Sequence, residues 1–340
     1  MRSIMIAVFA LFFLSACERP ANIQTLRGYA QGTTYTVKFW TDKATDNTAL
    51  KQAIDKELAR IDKLMSNYRD DSAIERFNRN QTARQAIAVD KEILAVLRIS
   101  AEVYQKSQHC YDPTIKPLLQ IWGFSDDKLR IPDEKTIAAT LKNIGFNQLQ
   151  RGADHIVKSR GELTVDLSAI GQGYAVAKIA RLLEQQQINH YLVEIGGEML
   201  VAGTKPNDKK WQVGVERPVP NKQIVNEVIT LTGKRPTAIM TSGTYRHYFD
   251  DNGKQYSHIL DPRSGKPVEH NSVAVTVLLD DATYADAWST ALLCLGADKG
   301  LPIADKHHIP AIFYTMEGKQ LRRRPNQTAT QQGDYWQIAQ

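Results

Sequence analysis

The sequence predicts an α+β protein with mixed or antiparallel sheets and packed helices. Segments with apolar residues at the helical period are mixed with runs rich in Thr, Tyr, Val and Phe that read as antiparallel strands. No long Pro/Ser linker and no internal repeat divides the 340 residues. Hydrophobic residues make up 42% and charged residues 24%, which excludes disorder as the main character and a polytopic membrane protein. The net charge of +6 is a mild excess of 43 basic over 37 acidic residues, so no nucleic-acid partner is expected. Three Cys cannot form a disulfide framework.

The elements follow in order. Met1-Arg2 is a short positive start, and Ile4 to Leu14 is an apolar run. The run falls short of the roughly 20 residues that span a bilayer. Leu14-Ser15-Ala16-Cys17 follows at once and reads as a bacterial lipobox, with Cys17 the lipidated residue. Several acyl chains on one residue give stable anchoring. The alternative is an ordinary signal peptide cut after Ala16. Residues 1–16 are therefore expected to be a lipoprotein signal peptide, 17–24 a lipidated tether and 25–340 the folded body.

Leu26–Trp40 reads as one strand. Leu50, Ile54, Leu58, Ile61, Leu64 and Met65 place an amphipathic helix over Thr48–Met65. Further helices are expected at Asp90–Gln108, Asp133–Asn143, about Gly173–Gln187 and Thr283–Leu295. Strands are expected at Gly161–Leu167, Tyr191–Ile195, Trp211–Glu216, Val228–Thr232, Thr237–Thr241, Gln255–Ile259 and Ile312–Thr315. Ser272–Leu279 is a nearly continuous apolar strand and should be buried on both faces. Pro325–Gly333 reads as a polar loop.

Four stretches could carry chemistry. The first is Asp166-Leu167-Ser168-Ala169-Ile170-Gly171-Gln172-Gly173, a strand ending in a carboxylate before a Gly-rich turn and a helix. Backbone N–H groups there could bind phosphate. A dinucleotide fingerprint is suggested by Gly171 and Gly173, with Glu194 at the next strand end, but Val176 stands where a third small residue belongs. A plain connection reads equally well.

The second is Tyr284–Leu293, a helix apolar nearly all round, on which Asp286 and Thr290 share a face. A hard cation such as Mg²⁺ would offset the burial of Asp286; backbone N–H groups or an Arg are the commoner solution. The third is Tyr256-Ser257-His258-Ile259-Leu260-Asp261-Pro262-Arg263-Ser264-Gly265, with His258 placed either as a general base or as a hydrogen-bonded core residue. The fourth is Met65–Ile74, where Tyr68 could stack on an aromatic ligand or sit at an interface. Ser72-Ala73-Ile74-Glu75 within it is a capping box. Cys294 lies in an apolar run and reads as a small buried hydrophobe, whereas Cys110 has no evident place; an oxidising compartment would permit a bond between them.

Together with Gly28-Tyr29-Ala30-Gln31-Gly32-Thr33-Thr34-Tyr35, Tyr111-Asp112-Pro113-Thr114, Trp122-Gly123-Phe124, Glu194-Ile195-Gly196-Gly197-Glu198 and Thr241-Ser242-Gly243, these stretches resemble the ApbE family of bacterial FAD:protein FMN transferases. They occur in family order from about residue 25 to the C-terminus. The resemblance implies an ApbE-like α+β fold with a flavin cleft. It implies Mg²⁺-dependent transfer of FMN from FAD to a Thr or Ser hydroxyl of a target protein, with AMP released. By motif position it places flavin contacts on Gln31, Tyr68, Cys110, Tyr111, Asp112, Asp166, Gln172 and Leu260. It places the metal on the Ala169 carbonyl, Asp286, Ser289 and Thr290, and catalysis on His258 and Asp286.

Four positions depart from the common family pattern. Gln31 stands where Met is common, Cys110 where Ala often lies, Gln172 where Glu or Lys is usual, and Ser289 where some members have Asp. Asn at the Tyr68 position goes with FAD hydrolysis in some relatives, so Tyr68 points to transfer. The resemblance further implies acceptors with a Gly-Ala-Thr/Ser-like motif, among them subunits of membrane redox pumps, and a lipid-anchored enzyme on the periplasmic side of the inner membrane. A Mg²⁺-dependent FAD pyrophosphatase and a non-catalytic flavin-binding lipoprotein are the alternatives.

Overall fold

The frame is an eight-stranded sheet in a computed structural model that describes residues 22–218, 225–251 and 254–338. The expected signal peptide and Cys17 lie outside the described residues. In chain order the strands are β1 (Gln24–Ala30), β2 (Thr33–Trp40), β3 (His190–Ile195), β4 (Glu198–Ala202), β5 (Thr237–Gly243), β6 (Ser272–Leu279), β7 (Ala311–Glu317) and β8 (Gln320–Pro325). Each pairs antiparallel with the next, so the sheet is a meander with long excursions between some strands.

All the helices but the last fill those excursions. The helices are α1 (Asn47–Met65), α2 (Ala73–Arg79), α3 (Lys91–Lys106), α4 (Lys116–Trp122), α5 (Glu134–Leu141), α6 (Ser168–Gln185), α7 (Ala282–Lys306) and α8 (Gln327–Thr330). Period-two alternation along the strands separates two cores. On one face Tyr191, Val193, Ile195, Met240, Val275 and Val277 join a core with α1, α3, α6 and α7. On the other face Leu192, Ile239, Leu278 and Ile312 meet Trp211, Val213, Ile229 and Trp336 of a small sheet formed by Trp211–Glu216, Val225–Leu231 and Trp336–Ile338. The main sheet is thus the middle of three layers, and β6 is covered on both sides as its apolar run predicts.

Several elements match their sequence signals. α1 buries Leu50, Ile54, Leu58, Ile61 and Met65, and the Asp46 side chain caps its N-terminus. Ser72 caps α2 by accepting the Glu75 N–H at 3.1 Å. The reciprocal arm of the capping box is not used, because the Glu75 carboxylate accepts bonds from Asn67, Asn78 and Lys116 instead.

Others differ. Leu26–Trp40 is a hairpin rather than one strand, because Gln31 (φ 51°) and Gly32 (φ 74°) adopt the left-handed conformation of a tight two-residue turn. Gly161–Leu167 is not a strand. The Val165 N–H donates to Asn78 Oδ1 at 2.7 Å, and the Asn67 and Asn78 amides both donate to the Val165 carbonyl at 2.9 Å. The Leu167 N–H donates to Asn67 Oδ1 at 2.7 Å. Two amide side chains therefore do the work of a neighbouring strand.

α6 starts at Ser168, so the expected Gly-rich turn is its first two turns, and the dinucleotide fingerprint fails with it. Glu194 instead accepts the Gly197 N–H at 2.8 Å in the β3–β4 turn. α7 runs on to Lys306 with a break at Gly296 (φ 70°, ψ 167°). The strand expected over Gln255–Ile259 ends at Ser257, paired with Tyr248–Asp251, so His258 lies just beyond it. The Pro325–Gly333 loop contains α8, capped by buried Asn326, and β8 was not anticipated.

α6 and α7 cross in close contact at Gly173. A Cβ there would lie 2.3 Å from the Ala282 carbonyl oxygen and 2.6 Å from Asp286 Cβ, both part of the opposing helix. Gly173→Ala is therefore expected to cost about 1–3 kcal/mol, read as a lower urea midpoint at unchanged slope. A variant as stable as the parent would mean that the crossing widens freely.

Candidate active site

The crossing opens into a cleft of two compartments. A cavity of about 310 Å³ is lined by Tyr68, Cys110, Tyr111, Asp112, Asp166, Ala169, Gln172, His258, Leu260, Asp286 and Thr290, together with Glu198, Ser242, Arg246 and His247. A second cavity of about 580 Å³ is lined by Gln31, Met65, Asn67 and Arg69, and shares Tyr68, Ser168 and Gln172 with the first. All eight positions expected to contact flavin thus line one compartment or the other.

α7 supplies one wall. Asp281 caps its start by accepting the Tyr284 N–H at 3.0 Å. Asp286, Thr290 and Cys294 are spaced at successive turns and present one face to the smaller cavity. Asp286 Oδ2 accepts the Gly173 N–H at 2.8 Å. Helix geometry would aim that N–H at the Ala169 carbonyl, the main-chain oxygen expected to bind metal. Glu198, at the start of β4, accepts the Thr241 N–H at 2.9 Å. Burial pushes both carboxyls above their ordinary range; the charge of Asp286 raises Glu198 further, and Arg246 offsets part of the effect. Arg246 is held by donating to the Gly196 carbonyl at 2.9 Å.

Two buried acids facing one polar cavity make a setting that a hard cation would stabilise. Asp286, Thr290 Oγ1 and the Ala169 carbonyl are oxygen donors of the right kind, so the residues fit Mg²⁺. Ser289 is set back from them. Its Oγ donates to the Asp286 carbonyl at 2.8 Å and meets Ser242 Oγ at 2.7 Å, while Ser242 Oγ lies 3.0 Å from Thr290 Oγ1. Ser289 therefore reaches the cavity only through Ser242. Cys110, Cys294 and Asp261 also converge, but the two sulfurs are bonded to each other and Arg263 engages Asp261.

The opposite wall is shaped by turns. Asp112 Oδ1 accepts the Thr114 N–H at 2.8 Å and Oδ2 accepts the Phe146 N–H at 3.2 Å, so this carboxylate holds the chain in place. Asp166 Oδ1 accepts the Ser168 N–H at 2.8 Å at the start of α6. The Tyr111 hydroxyl meets Ser100 Oγ at 3.2 Å, and burial pushes its pKa up. Tyr68 is 85% exposed at the mouth. Gln31 Oε1 is buried and has no hydrogen-bond partner among the described residues. Leu260 packs with Leu118, Trp122 and Phe124 beneath the cavity.

His258 Nδ1 donates to the His247 carbonyl at 2.7 Å. That bond sets the tautomer and leaves Nε2 as the acceptor. Burial holds the imidazole down at about 4, so it is neutral at physiological pH. The Phe124 and His247 rings flank it at 6.4 and 5.6 Å.

Glu198, Ser242, Arg246 and His247 were given no role from the sequence. Glu198 and Ser242 lie in motif segments, yet their convergence requires β3, β4 and β5 to pair. Arg246 and His247 lie in a segment without periodic pattern.

The arrangement defines an antiparallel α+β protein whose cleft sets buried acids beside a neutral histidine. The model of the ApbE family matches residues 31–313, and the chain belongs to that family. It is 34% identical over 316 residues to the FAD:protein FMN transferase of Vibrio cholerae, covering 92% of this chain and 93% of that protein. It is 33% identical over 322 residues to the Escherichia coli K12 protein of the same name, covering 91% of each. Among solved structures, the Vibrio cholerae flavin transferase ApbE matches with a TM-score of 0.83 at 30% identity, covering 92% of this chain and 99% of that one. The apo Pseudomonas stutzeri flavinyl transferase ApbE matches at 0.82 and 32% identity, covering 91% and 96%.

The low pKa of His258 has a sign that can be tested. As pH falls, the unfolded chain takes up this proton near 6.5 and the folded chain only near 4. The contribution of His258 is therefore complete above about 6.5 and is lost as pH falls toward 4. Between pH 7 and 4.5 the parent should lose about 2 kcal/mol more than His258→Gln in urea titrations. Parallel curves would mean that the imidazole is not buried neutral.

Proposed function

We propose that this protein transfers FMN from FAD to a Thr or Ser hydroxyl of a target protein and releases AMP. The observation that carries the reading is the Asp286–Thr290 face of α7, presented with His258 to one cavity. The likeness to FAD:protein FMN transferases across nine-tenths of the chain supports it. The acceptor oxygen attacks the phosphorus next to FMN, the bond to the AMP phosphate breaks, and AMP leaves with the electron pair. In this reading His258 Nε2 takes the acceptor proton, and Nδ1, committed as a donor to the His247 carbonyl, leaves it free to do so. Asp112 and Asp166 hold the wall segments, and Gln31 lines the larger compartment. Mg²⁺, when bound by Asp286, Thr290 and the Ala169 carbonyl, supplies charge stabilisation for the phosphate oxygens. The exposed mouth at Tyr68 admits a protein segment carrying a Gly-Ala-Thr/Ser-like motif.

The compartment belongs to the same proposal. The lipobox at Cys17 supports a lipid anchor on the periplasmic side of the inner membrane, and a disulfide between Cys110 and Cys294 suits an oxidising compartment. Among the described residues no helix is long and apolar enough to cross a membrane. Cys17→Ser is expected to move the protein to the soluble fraction with its specific activity intact; loss of intrinsic activity would contradict a tethering role.

The direct test incubates the purified protein with FAD, Mg²⁺ and a peptide bearing the motif, read by mass spectrometry. A covalent FMN adduct with matching AMP is expected, and free FMN alone would make the protein a pyrophosphatase. Asp286→Ala should lower AMP release at least about 100-fold, the scale seen when a principal transition-state contact is removed. Unchanged release would remove Asp286 from the chemistry.

A further inference from the structure

The reaction above makes no use of the Cys110–Cys294 disulfide, which links two walls of the cavity across 184 residues of chain with a Cα–Cα distance of 5.8 Å. Cys294 stands one turn beyond Thr290 and two beyond Asp286 on the same face of α7, and the helix breaks two residues later at Gly296. Cys110 directly precedes Tyr111 and Asp112. The turn leading to it holds two consecutive non-glycine residues in the left-handed region, Gln108 (φ 55°) and His109 (φ 66°). Such residues cost energy and persist only where surroundings over-determine them. The bond therefore secures a turn with little local preference for its shape to the last regular turn before a helix break. Both cysteines are buried, at 3% and 4% exposure, and both line the smaller cavity.

We propose that this disulfide is a positioning crosslink of the FAD site: intact, it holds the Cys110–Asp112 wall against the Asp286–Thr290 face, and its reduction lowers the affinity for FAD. The inference rests on the reading of the cleft as an FAD site. Reduction needs a dithiol. One of its thiolates attacks one sulfur, the other sulfur leaves and takes a proton, and the second thiol resolves the mixed disulfide. The protein then holds two thiols and the reductant leaves as a disulfide. Coupling is reciprocal, so FAD must protect the bond by the factor that the bond contributes to affinity.

The test compares the oxidised protein, the same protein reduced with dithiothreitol and a Cys294→Val variant, which removes the bond but leaves Cys110 in the cavity wall. FAD binding is followed by flavin fluorescence, opening of the bond by thiol titration and folding by circular dichroism. Reduction and substitution should each raise the Kd for FAD about tenfold, with turnover at saturating FAD within about threefold of the oxidised protein. Reoxidation should restore affinity, and saturating FAD should make the bond's midpoint potential about 30 mV more negative, the equivalent of tenfold. An unchanged Kd and potential with the bond open would overturn the proposal. So would a fall in turnover at constant Kd, or unfolding of both the reduced protein and the variant, which would make the bond a stability staple. If the oxidised protein neither binds FAD nor modifies an acceptor, the function reading itself fails, whatever the state of the bond.

Discussion

The buried carboxylate of Asp286, held by the Gly173 N–H where two helices cross, is the constraint on which the site depends. An acid at that depth must be neutralised, paired or given a cation. The crossing allows none of the usual slack, because the opposing residue lacks even a Cβ and the backbones are already in contact. The same contact gives the acid a helix N–H, from the residue one turn after Ala169. Glu198 adds a second acid to the cavity, and the single guanidinium of Arg246 offsets only part of their mutual repulsion. The two acids therefore sit above their ordinary range, as ionisable groups at functional sites often do.

The meander explains how distant residues reach that point. The sheet is regular, and what differs between its strands is what has been inserted between them. The excursion after β2 carries Tyr68, Asp112 and α6. The excursion after β5 carries Arg246 and His258, and the one after β6 is α7 itself. The ladder sets the distance between excursions, and the small sheet covers its other face.

Legibility from sequence varied with the kind of signal. Helices with a clear stripe, such as α1, and strands with a continuous apolar run, such as β6, were readable because burial alone dictates their pattern. The α+β class followed from them. The hairpin at Gln31 was not, since Ala30-Gln31-Gly32-Thr33 lacks the usual Asn-Gly or Asp-Gly signal. The segment around Val165 misled because extended backbone satisfied by the Asn67 and Asn78 amides has the composition of a strand but no strand beside it. At the site, residue type and spacing single out Asp286, Thr290 and His258, but on their own they favour plain structural roles, and only the family resemblance gives them chemical ones. Glu198, Ser242 and Arg246 are not singled out, because their roles arise only from strand pairing. The partnership of Cys110 with Cys294 was open for the same reason: a contact across so much chain leaves no local trace.

The register of β2 against β3, with Trp40 opposite His190, has a consequence for how the molecule is made. A chain emerging N-terminus first completes the β1–β2 hairpin early, then must wait for a long helical stretch before the next strand arrives to cover it. Until then one side of β2 offers unsatisfied hydrogen-bonding groups to any extended peptide nearby. A chain held in this interval, wherever it folds, should be the species most inclined to clump.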